Sequence, residues 1–171
     1  MGGLSRPRSL SSTDEREAFD CGRDSLNAWF CRHAWSNQEN GASRTSVICD
    51  LATGSVAGYV ALSAGQIERA YLPKRAQRNK PDPVPIILLG QLAVDLRYQR
   101  RGCAHSLMIF VLRTALRVSA DIGCIGIVTQ PLGDDVRSFY DNFDFQDLPF
   151  DPVGRMILRL AEVKHIGIGE H

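Results

Sequence analysis

Hydrophobic positions recur along this chain with two periods, and the alternation between them predicts the order of its elements. Leu26, Trp29, Phe30 and Ala34 share one face at the helical period. Asp24 or Ser25 can cap the helix, and Asn40-Gly41 can end it or the loop after it, which predicts a short amphipathic helix or helix pair. Residues 45–50 and 56–63 are rich in β-branched and aromatic side chains and flank a turn-like stretch from Leu51 to Ser55, the pattern of an antiparallel hairpin. From Gln66 to Pro85 the periodicity dissolves into a loop bearing Pro, Arg and Lys, long enough to suggest function or mobility. Residues 85–95 read as a nearly all-apolar strand buried on both faces, in which Gly90 marks a bulge or a close approach of backbone or ligand. Residues 102–120 carry Leu107, Met108, Val111, Leu112, Ala115 and Leu116 at helical spacing, the longest helix. A short apolar strand over 124–129 follows, then a helix capped by Asp134 or Asp135 with Val136, Phe139, Tyr140 and Phe143 on one face. Phe145 onward and residues 155–160 supply one or two further strands. This order predicts an α/β or α+β sandwich with a mixed sheet.

Length and composition narrow the class without naming a function. The 171 residues, 44% apolar and 23% charged, suit a single domain over 1–171 with loose termini at about 1–8 and 163–171. A net charge of +1 provides no overall field, so any surface for nucleic acid must be local. Cys21, Cys31, Cys49, Cys103 and Cys124 form no C-x-x-C pair, which suits reduced thiols and offers no metal site. The start lacks an apolar signal core, and the apolar stretch from Val84 to Leu96 is broken by Pro85, Gly90, Gln91 and Asp95, short of the ~20 residues a membrane span needs. The expectation is a cytoplasmic protein without a membrane partner.

The strongest chemical signal lies where the apolar strand meets the long helix, at Gln99-Arg100-Arg101-Gly102-Cys103-Ala104-His105. A glycine at a helix start lets a ligand approach backbone, the first-turn N–H groups are unpaired, and the helix dipole favours an anion there. Arg100 and Arg101 add charge, and Cys103 and Ala104 leave room. Neither a G-x-x-x-x-G-K-[ST] loop nor a three-glycine dinucleotide fingerprint occurs. The succession of strand, Gln-x-x-Gly-x-Ala, helix, strand and a helix with Phe-Tyr-x-x-x-x-Phe resembles the GNAT family of acyl-coenzyme A dependent N-acetyltransferases, over about residues 20–160. That resemblance implies the GNAT fold, a mixed and mostly antiparallel central sheet flanked by helices. It also implies acetyl-CoA as co-substrate. Gln99 to His105 would hold the pyrophosphate, and the backbone of Leu92, Ala93 and Val94 would hold the pantetheine and acetyl carbonyl.

Separated motifs in order, Phe19-Asp20-Cys21-Gly22, Ser25 to Trp29, Asn37-Gln38, Gly41 to Thr45, Pro81 to Pro85 and Leu89 to Asp95, are similar to the acetyltransferase toxins of type II toxin–antitoxin systems. The likeness implies acetylation of the α-amine of aminoacyl-tRNA, arrest of translation, a ribbon-helix-helix antitoxin partner, autoregulation as a repressor and a homodimer. Tyr140, otherwise a packed core tyrosine, then becomes the general acid for the departing thiolate, because a phenol is protonated at neutral pH. Lys74, Arg75, Arg78 and Lys80, in a stretch from Arg69 without an acid, become candidates for tRNA phosphates. Arg32, His33 and Arg44 are weaker candidates, His33 as a partly buried helix residue. Asp144 stands where the family's turn favours Gly, and Gln130-Pro131-Leu132 replaces a common His-Ala-Leu run. The alternatives are a GNAT enzyme acting on a small amine or protein amino group, and a non-catalytic co-repressor bound by antitoxin.

Overall fold

The structure is a computed structural model and describes residues 3–163. In chain order it forms β1 (Arg8–Ser9), α1 (Asp24–Arg32), α2 (Ala34–Asn40), β2 (Arg44–Cys49), β3 (Val56–Ile67), α3 (Lys74–Gln77), β4 (Val84–Val94), α4 (Cys103–Asp121), β5 (Gly126–Thr129), α5 (Asp134–Asp141), β6 (Gln146–Asp147), β7 (Met156–Arg159) and α6 (Leu160–Val163). The strand order is β1-β2-β3-β4-β5-β7-β6. It is a mixed, mostly antiparallel sheet in which β4 and β5 run parallel. The chain divides into two compact units, Met1–Ser63 with Gly90–Val111 and Ala64–Leu89 with Leu112–His171, and β3, β4 and α4 pass through both.

The first unit is built on aromatic packing. The helical period places Leu26 and Phe30 on the buried face of α1. The Phe30 ring lies nearly parallel to Tyr59, 4.3 Å away, and Phe19 meets Tyr59 edge-on at 5.3 Å. The Tyr59 hydroxyl donates to the Leu26 carbonyl at 2.7 Å, which satisfies the only polar atom of that buried side chain. Arg23, and neither Asp24 nor Ser25, occupies the helix cap and makes no side-chain capping bond; α1 is held by its packing. His33 is exposed at the α1–α2 junction, and Gly41, at φ +79°, closes α2 in the left-handed conformation. Residues 4–8, expected to be loose, are pinned to β2. The Ser5 N–H donates to the Cys49 carbonyl at 2.8 Å, Arg8 pairs opposite Val47, and the Arg8 guanidinium forks onto Asp14 at 2.7 and 2.9 Å.

In the second unit β4 pairs with β5 from Ile87↔Ile127 to Leu89↔Thr129, and β7 pairs antiparallel with β5 and with β6. Ile67, Leu72, Ala76, Val84, Ile86, Val128, Leu148 and Ile157 form its apolar cluster. The stretch from Gln66 to Pro85 is therefore not a plain loop: Leu72 and Ala76 are buried and anchor α3. The short helix α6 ends at buried Val163, so the expected looseness of residues 164–171 lies outside the described residues. The 19-residue α4 is long and apolar enough by composition to cross a membrane, but Leu107, Met108, Val111, Leu112 and Ala115 are buried in the protein and Arg113 and Arg117 are exposed, as in a core helix.

Gly126 shows how closely β5 and β7 approach, since a Cβ there would stand 2.6 Å from the Leu158 carbonyl oxygen. Gly126→Ala is expected to lower unfolding stability by about 1–3 kcal/mol through the backbone shift it forces, read as a lower urea midpoint at unchanged m-value.

Candidate active site

The end of β4 is tied down by one buried carboxylate. Asp95 is 1% exposed and accepts four N–H bonds: from the Arg97 backbone at 2.9 Å, from Arg97 Nε at 3.0 Å and Nη2 at 3.1 Å, and from the Asp20 backbone at 3.1 Å. The Leu96 N–H donates in return to the Asp20 carbonyl at 2.8 Å. Burial works to raise the Asp95 pKa, but these bonds outweigh it and hold the carboxyl below its ordinary value. Asp20 and Asn27 complete the clasp, since Asn27 Nδ2 donates to the Asp20 carboxylate and Asn27 Oδ1 accepts from the Cys21 N–H. The motif from Phe19 to Trp29 thus has a structural role, fastening the entrance of α1 to the exit of β4.

From this anchor the chain turns into α4 through an alternating backbone. Arg100 at φ +62° and Gly102 at φ +82° are both left-handed, a sequence of conformations that turns successive N–H groups into one concavity. Gln99 Nε2 donates back to the Val94 carbonyl at 3.3 Å, and Gly102 accepts the first helical bond, from Ser106, at 3.0 Å. A concavity of about 360 Å³ results, lined by Val94, Gln99, Arg100, Gly102, Cys103, Ala104 and His105. It combines helix-start amides with the positive end of a 19-residue helix, a site chemistry for phosphate. Seven of the ten sequence-predicted coenzyme positions meet here. Arg101 does not: its guanidinium lies 5.4 Å from the centre of the Tyr98 ring, the same distance as that of Arg97. Ala93 belongs to the apolar core of the first unit, and Leu92 is half-buried outside the concavity, which leaves their backbone as the part to contact a ligand. The Cys103 thiol is buried and its pKa is pushed up chiefly by that burial, so it packs and is not activated.

In the second unit Tyr140 sits on α5, 4% exposed, with the Phe139 and Phe145 rings each 5.2 Å away. Burial raises its pKa, opposed by hydrogen bonding from the Thr129 hydroxyl, and the phenol stays protonated at neutral pH. Asp144, at φ +66°, adopts the left-handed turn for which glycine is the usual choice. Of the basic candidates, Lys74, Arg75 and Arg78 are exposed on and after α3, and Lys80 is half-buried. Arg69 serves the scaffold, donating to the Lys80 carbonyl at 2.9 Å. The left-handed Arg100 had no signal in the sequence pattern, and of the Asp95 clasp the Asp-x-Arg spacing of Asp95 and Arg97 was the one readable hint.

Asp95 has a depressed pKa in the folded protein, so its contribution is complete above the ordinary carboxylate value of about 3.9 and is lost as pH falls below it. Asp95→Asn should cost about 2 kcal/mol at neutral pH and flatten the loss of stability between about pH 5 and pH 3, read by denaturant titration across pH. Gly102 has open space around its Cα, so Gly102→Ala strains only the backbone, by about 1 kcal/mol. It should weaken coenzyme A binding about tenfold by calorimetry with little loss of Tm, whereas Arg100→Gly should keep the loop conformation.

No family model matches the chain. It is 39% identical over 158 residues, 92% of its own length and 94% of the relative's, to a tRNA-acetylating toxin of Mycobacterium tuberculosis. It is 26% identical to the probable toxin TacT of Sinorhizobium fredii over 89% of this chain and 88% of that protein. Among solved structures, AtaT complexed with acetyl-methionyl-tRNAfMet superposes with a TM-score of 0.88 at 24% identity, covering 96% of this chain and 99% of that one. AtaTR bound with AcCoA superposes with a TM-score of 0.82 at 23% identity, covering 95% and 97%. These two show the same fold, and the near full-length identity to the mycobacterial protein shows more: the chain belongs to the family of tRNA-acetylating acetyltransferase toxins.

Proposed function

We propose that this protein transfers the acetyl group of acetyl-CoA to the α-amine of aminoacyl-tRNA and thereby blocks translation as the toxin of a type II toxin–antitoxin pair. The observation that carries the reading is the 39% identity to a tRNA-acetylating toxin across nearly the whole of both chains. The concavity at Gln99 to His105 supports it chemically: left-handed Arg100 and Gly102 line it at the start of α4, a setting that fits the pyrophosphate of coenzyme A. The backbone of Leu92 to Val94 holds the pantetheine and the acetyl carbonyl and supplies donors for the developing oxyanion.

Each remaining residue has one task. The α-amine of an aminoacyl ester is largely neutral near pH 8 and attacks the acetyl carbonyl directly, so no covalent enzyme intermediate is needed. Tyr140 delivers its proton to the departing thiolate sulfur; its raised pKa keeps that proton in place until the C–S bond breaks. Lys74, Arg75, Arg78 and Lys80 neutralise tRNA phosphates. Lys74, Arg75 and Arg78 are exposed and form no ion pair among the described residues, while the nearby acid Asp82 receives the Arg69 N–H. The partners are aminoacyl-tRNA, a ribbon-helix-helix antitoxin that also makes the pair a repressor, and a second copy of the chain; the place of action is the cytoplasm.

Incubation with labelled acetyl-CoA and a full set of charged tRNAs tests the reading. Label is expected on one or a few aminoacyl-tRNAs, reduced about a hundredfold or more in Tyr140→Phe. Label on small amines or protein lysines instead would overturn it. Charge reversal at Lys74, Arg75 and Arg78 together should raise the KM for tRNA and flatten its salt dependence without changing coenzyme A binding.

A further inference from the structure

The loop between β6 and β7 is internally braced, holds apolar side chains in solvent, and is fastened on one side to the helix of Tyr140 and on the other to the basic segment. Its frame is Asp151, whose buried side chain accepts the Val153 N–H at 3.1 Å, the Arg155 N–H at 3.2 Å and Arg155 Nε at 2.6 Å. The Leu148 N–H closes the loop on the Arg155 carbonyl at 3.0 Å, and Pro149 and Pro152 restrict the backbone on either side of Phe150-Asp151. Arg137, three residues before Tyr140 on α5, pairs with Asp147 and donates to the Gly154 carbonyl at 3.0 Å. On the other side the Arg155 guanidinium lies 5.8 Å from the centre of the Tyr71 ring. Leu148 also shares an apolar cluster with Leu72 and Ala76, the two residues that anchor Lys74 and Arg75 between them.

From this frame Phe150 and Val153 stand out, 52% and 53% exposed. A large apolar side chain on a braced loop meets a partner at little cost in entropy, because the loop has no order left to acquire. The exposed Lys74, Arg75 and Arg78, on the segment to which the loop is fastened, select a partner that is an anion. A polyanion with apolar faces of its own is single-stranded nucleic acid, whose unstacked bases lie on aromatic rings while its phosphates meet cations. In aminoacyl-tRNA the unpaired nucleotides nearest the amino acid are those of the 3′ end, and this loop joins the phosphate-binding candidates to the helix of the proton donor. We propose that Phe150 is a stacking platform for an unpaired nucleotide at the 3′ end of the aminoacyl-tRNA, held in place by the Asp151–Arg155 pair. The inference rests on the reading of the protein as an aminoacyl-tRNA acetyltransferase.

In the full-length protein, Phe150→Ala should raise KM for aminoacyl-tRNA about 5- to 100-fold and leave kcat and the KM for acetyl-CoA within about twofold. Phe150→Leu should behave as Phe150→Ala does and Phe150→Trp as wild type, because stacking needs a π face and not only an apolar one. Stacking releases no counterions, so the slope of log KM against log salt should stay at its wild-type value in Phe150→Ala, unlike in the charge reversal at Lys74, Arg75 and Arg78. Direct binding of deacylated tRNA should be weaker in Phe150→Ala than in wild type, and this difference should vanish for tRNA trimmed of its unpaired 3′ nucleotides. If the difference persists with trimmed tRNA, the assignment to the 3′ end is overturned. If wild type acetylates aminoacyl-tRNA and Phe150→Ala does so with wild-type KM, the inference is overturned and the transferase reading stands; smaller species in sedimentation of that variant would then assign Phe150 to contact between copies of the chain. If wild type acetylates no aminoacyl-tRNA, the transferase reading fails and the inference falls with it.

Discussion

A carboxylate buried at the end of β4 is the constraint on which the geometry of the concavity in the first unit depends. Asp95 gathers N–H groups from Arg97 and Asp20, and it sits between a strand that carries candidate backbone contacts and a loop that carries the left-handed residues. A left-handed arginine costs about 1 kcal/mol or more and persists only where its neighbours over-determine it. Here the neighbours are the Asp95 clasp before it, the Gln99 bond to Val94 beside it and the first turn of α4 after it. Tyr98 contributes as well, with its buried ring against the guanidinium groups of Arg97 and Arg101 and its hydroxyl donating to Asp50 at 2.8 Å.

The central strand shows the same economy of means. From Val84 to Leu89 it is largely buried, as a continuous apolar run in a parallel pair should be. β5 ends at Thr129 opposite Leu89, and from Gly90 onward β4 becomes more exposed. Of the readings of Gly90, close approach by the protein's own backbone does not occur: no atom beyond its chain neighbours, among the described residues, lies within 4 Å of where its Cβ would be. Crowding at that glycine is therefore not what sets the change in exposure; β5 ends one pair before it. Gly126, on the partner strand, is the glycine required by close packing.

Most element positions were legible in the sequence because they depend on periodicity. The face of α1, the long α4, the hairpin and the apolar β4 all rest on which residues must leave water, a question that local spacing answers. The misread segments are those stabilised from outside. Residues 4–9 have no periodicity of their own and are ordered by pairing with β2, and the Gln66 to Pro85 stretch gains α3 because Leu72 and Ala76 find a core distant in sequence. The helix caps missed for a related reason: Arg23 and Gly133 occupy the cap positions without side-chain bonds, so packing, not capping chemistry, sets where α1 and α5 begin.

The sequence by itself determined the fold class, the helix-start glycine at Gly102 and the candidate tyrosine, because hydrophobic period, glycine placement and motif spacing are properties of neighbouring residues. Tertiary structure alone decided that Arg100 is left-handed, that Arg101 stacks on Tyr98 in place of lining the concavity, and that Asp95 binds Asp20 across 75 positions. Hydrogen-bond partners far apart in the chain leave no periodic trace, since any residue of suitable chemistry can meet any other once the strands between them have been placed.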